Sequence, residues 1–276
     1  NNYLGIRIKK ARSLKPGDFF NLIQAIEDKR ISGARFGQVE AKPLTLSFWI
    51  RTSLNGTHSG ALSNATSTRS FPFSFTVDSA DTWEYKTICI PGDTTGDWPV
   101  AGNRKGMFLI FNLATCQPYI ACAGQWACSK GSISIVETQD ASFFITGIQL
   151  EEDSSATPFV HIPFKEELVR CQRYFETLGD SSKSPELGNG FSSGNNTILA
   201  HIPFRTQKRC APTILLEGND FAFITKSGSF AVTPLTVIGT GITALFISGK
   251  IAGIQAGQDG VLQTRGTSRI TLSSEL

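Results

Sequence analysis

The chain has 276 residues, 40% hydrophobic, 10% aromatic and only 18% charged, with 26 Gly and 12 Pro; that balance excludes disorder and suits turn-rich β structure in two domains. Lys and Arg outnumber Asp and Glu by 26 to 23, and the net charge of +3 is spread along the chain, which excludes the basic tract of a nucleic-acid or acidic-membrane surface. No apolar run reaches the length of a membrane span, and NNYLGIRIKK lacks the order of a signal peptide, so the chain reads as soluble, without membrane insertion.

The chain opens on a strand-like stretch, LGIRIKK, so it is expected to begin inside a domain. Period-two alternation then marks strands at 44–52 (LTLSFWIRT), 71–77 (FPFSFTV), 83–91 (WEYKTICIP), 107–113 (MFLIFNL) and 143–151 (FFITGIQLE). NGTHSG and PGDTTGDWPVAGNRKG read as turns. Strands without intervening helices predict a sandwich or jelly roll over 1–160.

HIPFKEELVRCQRYF interrupts this pattern. Phe164, Leu168, Cys171 and Phe175 share one helical face, with Glu166 and Glu167 in the first turn and Arg170 and Arg173 near the end, the charge order that suits the helix dipole. The spacing predicts a short helix within 161–178 that must be held by packing its apolar face on something. A Ser/Gly-rich linker, 179–194, follows. Strands resume at 197–206, 212–217, 221–225, 235–238, 242–248, 260–263 and 269–272, predicting a second small β-sandwich within 179–276. The fold class is thus all-β: a jelly-roll sandwich, a connector helix and a small sandwich.

The segment ITGIQLEEDSSATPFVHIPFKEELVRCQRYFET, 145–177, resembles a junction common in tail-fibre and other virion structural proteins of tailed bacteriophages. Its Gln149-Leu150-Glu151, Ser155-Ala156-Thr157-Pro158-Phe159, Glu166-Glu167-Leu168 and Cys171-Gln172-Arg173-Tyr174 carry the likeness. Upstream, QAIED, TLSFWIR and W-x-x-Y-x-T-I are similar to strands of a carbohydrate-binding-module-like jelly roll; downstream, RCAPTILL and SSEL are similar to a small β domain. The resemblance implies a virion location, assembly with other virion proteins and commonly a homotrimer. It also implies that the first strand of the jelly roll lies before Asn1, and that the helix docks one domain on the other through Phe164, Leu168, Cys171 and Phe175.

No nucleophile, base or carboxylate pair is placed for catalysis by the sequence, and neither a cofactor nor a metal is expected. Asp93 and Asp97 share a turn, but two carboxylates fall short of a calcium site. Cys116, Cys122 and Cys128 recur every six residues, open to a disulfide, a thiolate metal site or reduced structural thiols, the last being favoured. Sugar binding has more support. Alternation along 45–51 sets Trp49 and Arg51 beside Thr45 and Ser47, an aromatic among hydrogen-bonding groups. Trp83 with Tyr85 extends this set, and Trp98 and Trp126 lie in connections; the competing reading makes these aromatics core or subunit interface. Apolar residues on both faces of MFLIFNL favour an oligomer. Three readings follow: a virion protein with host-surface glycan as candidate ligand, a purely structural adaptor or decoration subunit, and the accessory carbohydrate-binding module of a glycan-degrading enzyme.

Overall fold

The computed structural model describes residues 2–98, 102–116, 126, 134–179, 185–194 and 196–275. Cys122 and Cys128 lie outside them; among the described residues Cys89, Cys116, Cys171 and Cys210 form no disulfide. The chain is predominantly β and divides into two compact units, Asn1–Val160 and His161–Glu275. Among the described residues no helix is long and apolar enough to cross a membrane.

The first unit contains β1 (Leu4–Arg7), β2 (Phe19–Glu27), β3 (Leu44–Thr52), β4 (Gly56–Asn64), β5 (Ser70–Val77), β6 (Glu84–Ile90), β7 (Lys105–Thr115) and β8 (Ser142–Glu151). They pair as two four-stranded sheets, in the orders β1-β8-β3-β6 and β2-β7-β4-β5. Alternation explains how they share one core. Leu46, Phe48 and Ile50 of β3 point inward, as do Met107, Leu109 and Phe111 of β7 and Phe71, Phe73 and Phe75 of β5. The Phe48 ring meets Phe75 and Phe111 edge-on, each at 5.1 Å between centroids, a favoured aromatic geometry. The result is a β-sandwich.

Strand β4 overturns the reading of NGTHSG as a turn. It carries Gly60 in its interior because a Cβ there would run into the Ile110 carbonyl oxygen and the Phe73 ring. Close packing thus demands a residue with little intrinsic preference for a strand.

The second unit contains α1 (Phe164–Gln172), β9 (Phe175–Leu178), β10 (Glu186–Gly194), β11 (Thr197–Pro203), β12 (Thr213–Glu217), β13 (Phe221–Thr225), β14 (Gly228–Thr240), β15 (Ala244–Ile251), β16 (Asp259–Thr264) and β17 (Arg269–Ser273). Instead of the expected small sandwich, six strands close a barrel, β10-β11-β15-β14-β13-β16, beside a three-stranded sheet, β12-β17-β9. Much of the stretch read as linker is β10, which closes the barrel by pairing with both β11 and β16. Gly188 and Gly190 occur there because a Cβ would meet the carbonyl oxygens of His201 and Leu199. Ile198, Ile202, Phe223, Leu245, Ile247 and Leu262 fill the core.

The helix also differs from its expectation. Phe175 belongs to β9, paired with Ser273, and none of the α1 residues is buried. Phe164 is 79% exposed, and Leu168, Cys171 and Phe175 are exposed as well, so the second unit does not itself cover these four. The helix is short and is held at its C-terminal end, where buried Lys208 donates to the Gln172 carbonyl and pairs with the buried Glu176 carboxylate. The Arg209 amide donates to the Arg173 carbonyl, its guanidinium donates to the Ser274 and Glu275 carbonyls, and the Ser274 amide donates to the Tyr174 carbonyl. CQRYFET, RCAPTILL and Ser274-Glu275 of the terminal SSEL therefore meet at one place in the second unit.

Candidate functional site

Two outward faces of the first unit present side chains of a kind that hold ligands. On the β1-β8-β3-β6 sheet, Trp49 stands opposite Tyr85 on one side and Thr146 on the other. Trp49 is 42% exposed and Tyr85 43%, with ring centroids 5.4 Å apart and planes at 50°. Arg51 stands opposite Phe144, its guanidinium 5.6 Å from that ring centroid and 3.8 Å from Asp81. Trp83 is half-buried against Tyr3, 5.9 Å between centroids, and Tyr3 in turn meets Phe144 edge-on at 5.3 Å. Trp49, Arg51 and Trp83 thus belong to one aromatic face carrying a cation.

That face is shorter than the alternation in β3 implies. Thr45 and Ser47 are buried, and the Thr45 hydroxyl donates to the Asp153 carbonyl, 2.7 Å away, because the chain beyond β8 folds back over this end. Gln149 and Glu151 hold that return: the Gln149 side chain accepts from the Val160 amide at 3.0 Å, and Glu151 accepts from the Thr157 amide at 3.0 Å. Burial would push the Glu151 carboxyl up; the hydrogen bonds from Thr157 and Gln149 outweigh it and bring it below its usual range.

Trp98 and Trp126 are elsewhere. Trp98 is 6% exposed, edge-on to Phe36 at 4.9 Å and to Trp126 at 5.5 Å. Trp126 is half-buried, packs on Phe71 at 5.2 Å and donates its indole N–H to the Pro91 carbonyl at 3.2 Å. Both join the sandwich core, which corrects the expectation of a loop rim. Asp93 is the reason Trp98 turns inward, accepting its indole N–H at 2.9 Å and pairing with Arg69. Burial alone would push the Asp93 carboxyl up; Arg69, Trp98 and the Thr95 amide overcome it and hold the group low. Asp93 is thereby committed to a structural ion pair. Among the described residues no group of three or more His, Cys, Asp and Glu side chains is placed to hold a metal.

The second face was not legible in the sequence. On the outside of β2-β7-β4-β5 an open groove of about 310 Å³ is floored by β4 and β7 and walled by Phe19 and Ile23. Its middle row is apolar, Ile23, Ile110, Ala61 and Pro72 across the four strands. One flanking row runs Asn21, Asn112, Ser59 and Ser74, and the other contains Ser63 opposite Ser70. Ser63 is 3% exposed, and neither its hydroxyl nor the buried Asn21 Oδ1 has a hydrogen-bond partner among the described residues. Ile110, whose apolar outward side suggested a subunit contact, lines this groove. The signal in the sequence was the run of small residues in GTHSGALSN, which leaves room above the sheet.

No protein-family model matches the chain, and no curated protein matches it.

Proposed function

We propose that this chain is a non-enzymatic structural protein of a tailed-bacteriophage virion, in a fibre, spike or head-surface appendage, whose first unit binds host-surface glycan. The first unit is read as a jelly roll, a reading supported by its eight strands in the orders β1-β8-β3-β6 and β2-β7-β4-β5. The virion assignment rests on the likeness of residues 145–177 to the junction described above. Glycan binding rests on one observation, the exposed Trp49–Tyr85 pair beside Arg51. Flat rings cover the apolar C–H face of a sugar, Arg51 donates to hydroxyl or acidic groups, and the Thr146 hydroxyl, itself donating to the Asn2 carbonyl, accepts from a sugar hydroxyl. The particle context implies a homotrimer, in which three weak sites act together, gaining roughly a hundredfold in apparent affinity without a new contact.

A second reading, an adaptor or decoration subunit that contacts other virion proteins, draws on the helix. Its exposed Phe164 and Leu168, four residues apart on one face, form an apolar patch suited to a protein partner. Glycan-array binding, paired with sedimentation of the intact protein, separates the two. The first reading expects a trimer whose binding falls at least tenfold in Trp49→Ala and Tyr85→Ala. A trimer that binds no glycan transfers the assignment to the adaptor; binding untouched by both substitutions removes it from the Trp49–Tyr85 face; a monomer counts against the fibre.

A further inference from the structure

We infer that the groove on β2-β7-β4-β5 is a second ligand site, distinct from the Trp49–Tyr85 face, and that it takes an uncharged oligosaccharide lying across the strands. The inference uses the glycan-binding reading for its ligand class but rests on its own geometry.

The lining fixes that class. None of the described residues lining the groove is charged, so an anionic ligand would lose water there without gaining a counter-charge from them. The polar groups available are hydroxyls and carboxamides, which pair with sugar hydroxyls as donors and acceptors alike. Their order matters more than their number. The apolar row Ile23, Ile110, Ala61 and Pro72 lies between the amide row and a mixed row, Ala25, Phe108, Ser63 and Ser70, whose serines stand on β4 and β5, so apolar ring faces settle on the middle while hydroxyls reach the amide row on one side and the two serines on the other. Four strands span roughly 14 Å, and each polar row lies about 7 Å from the apolar row by ordinary sheet dimensions. That footprint suits a short chain of sugars better than a single one.

Two groups are poised for the ligand. The Ser63 hydroxyl and the Asn21 carbonyl oxygen are buried without partners among the described residues, an unfavourable state that a bound hydroxyl would relieve. Ser63 lines the groove. Asn112 is already oriented, its amide donating to the Ser59 hydroxyl at 3.2 Å and its carbonyl oxygen accepting from the Thr115 hydroxyl at 2.5 Å. A peptide fits less well. Extended peptides bind sheet edges through backbone ladders, whereas this groove lies on a face whose backbone groups already serve the β2-β7 and β7-β4 pairings.

The test is amide NMR of the whole chain, titrated with an array-derived panel of neutral trisaccharides, their sialylated counterparts, the component monosaccharides and an uncharged Ser/Pro-rich hexapeptide. The expected result is that at least one neutral trisaccharide shifts the amides of Asn21, Ser63 and Asn112. Its monosaccharides and sialylated form should bind at least fivefold more weakly. Ser63→Ala and Asn21→Ala should each weaken the trisaccharide about five- to tenfold, the size of one or two hydrogen bonds. Ala61→Phe, which fills the groove, should abolish the ligand-induced shifts of Asn21, Ser63 and Asn112. Shifts confined to Trp49 and Tyr85 would overturn the groove and leave the aromatic face standing; shifts confined to the groove would do the reverse. Preference for the hexapeptide or the sialylated sugars, or no shift from any neutral trisaccharide, would also overturn the inference.

Discussion

His58 shows how a single residue departs from its apparent place in the sequence. Read as part of a polar turn, it lies 1% exposed on β4, its ring stacked on Phe75 at 5.8 Å and its Nε2 2.9 Å from the Leu54 carbonyl. Burial lowers its pKa, against the opposing pull of that carbonyl, and its Nδ1 has no partner among the described residues. Below the unfolded value near 6.5, the unfolded chain takes up a proton that the folded chain refuses. Stability is therefore fully present above that pH and falls as the pH drops toward the lowered native pKa, by at most about 1.4 kcal/mol per pH unit. Urea midpoints between pH 7.5 and 5.5 should show this slope, and His58→Gln should flatten it. His161 and His201 are common to both proteins, so the difference isolates His58; equal slopes would refute the assignment.

At the scale of elements, the end of α1, β9 and the chain between β11 and β12 are joined by one buried ion pair. Lys208 and Glu176 are both essentially inaccessible, with Phe204 5.5 Å from the ammonium and Arg205 3.6 Å from Glu176 Oε1. Replacing both charges by apolar groups is often neutral, but removing one leaves the other buried and unpaired, at a cost of about 3–5 kcal/mol. Lys208→Met should destabilise the second unit by about 3 kcal/mol, at the lower end because Arg205 can approach the freed carboxylate. Lys208→Met combined with Glu176→Leu should recover most of that loss. A double variant as unstable as the single one would show that packing around the Lys208 stem, not its charge, holds these elements together.

At the scale of the whole molecule, each unit has its own apolar cluster, one running from Ala34 to Ile145 and the other from Leu178 to Leu272. A chain with two separate cores is expected to fold in parts. Residues 1–160 expressed alone should unfold cooperatively in urea and retain glycan binding, while residues 161–275 should fold without binding it. A fragment 1–160 that stays unfolded, though its sandwich core is whole, would mean that its stability depends on the rest of the chain.

Much of the element pattern was written in local alternation, because inward and outward positions on a half-buried strand differ in hydrophobicity. LTLSFWIRT forms β3 with the predicted limits, and FAFIT forms β13 likewise. The same alternation brought Trp49, Arg51 and Trp83 to one face. It failed where long-range contacts choose the residue. β4 and β10 are rich in Gly and Ser because neighbouring strands leave no room for a Cβ at Gly60, Gly188 and Gly190, and locally such composition reads as turn or linker. Trp98 failed in the opposite direction: a loop position suggested exposure, but Asp93, fixed by Arg69 from the turn before β5, draws its indole inward. Closure of the barrel depends on β10 meeting both β11 and β16. The sequence by itself therefore determined the β class, most strands and one aromatic face. Only the tertiary structure decided the barrel, the groove and which tryptophans face solvent, since each depends on pairings between residues far apart in the chain.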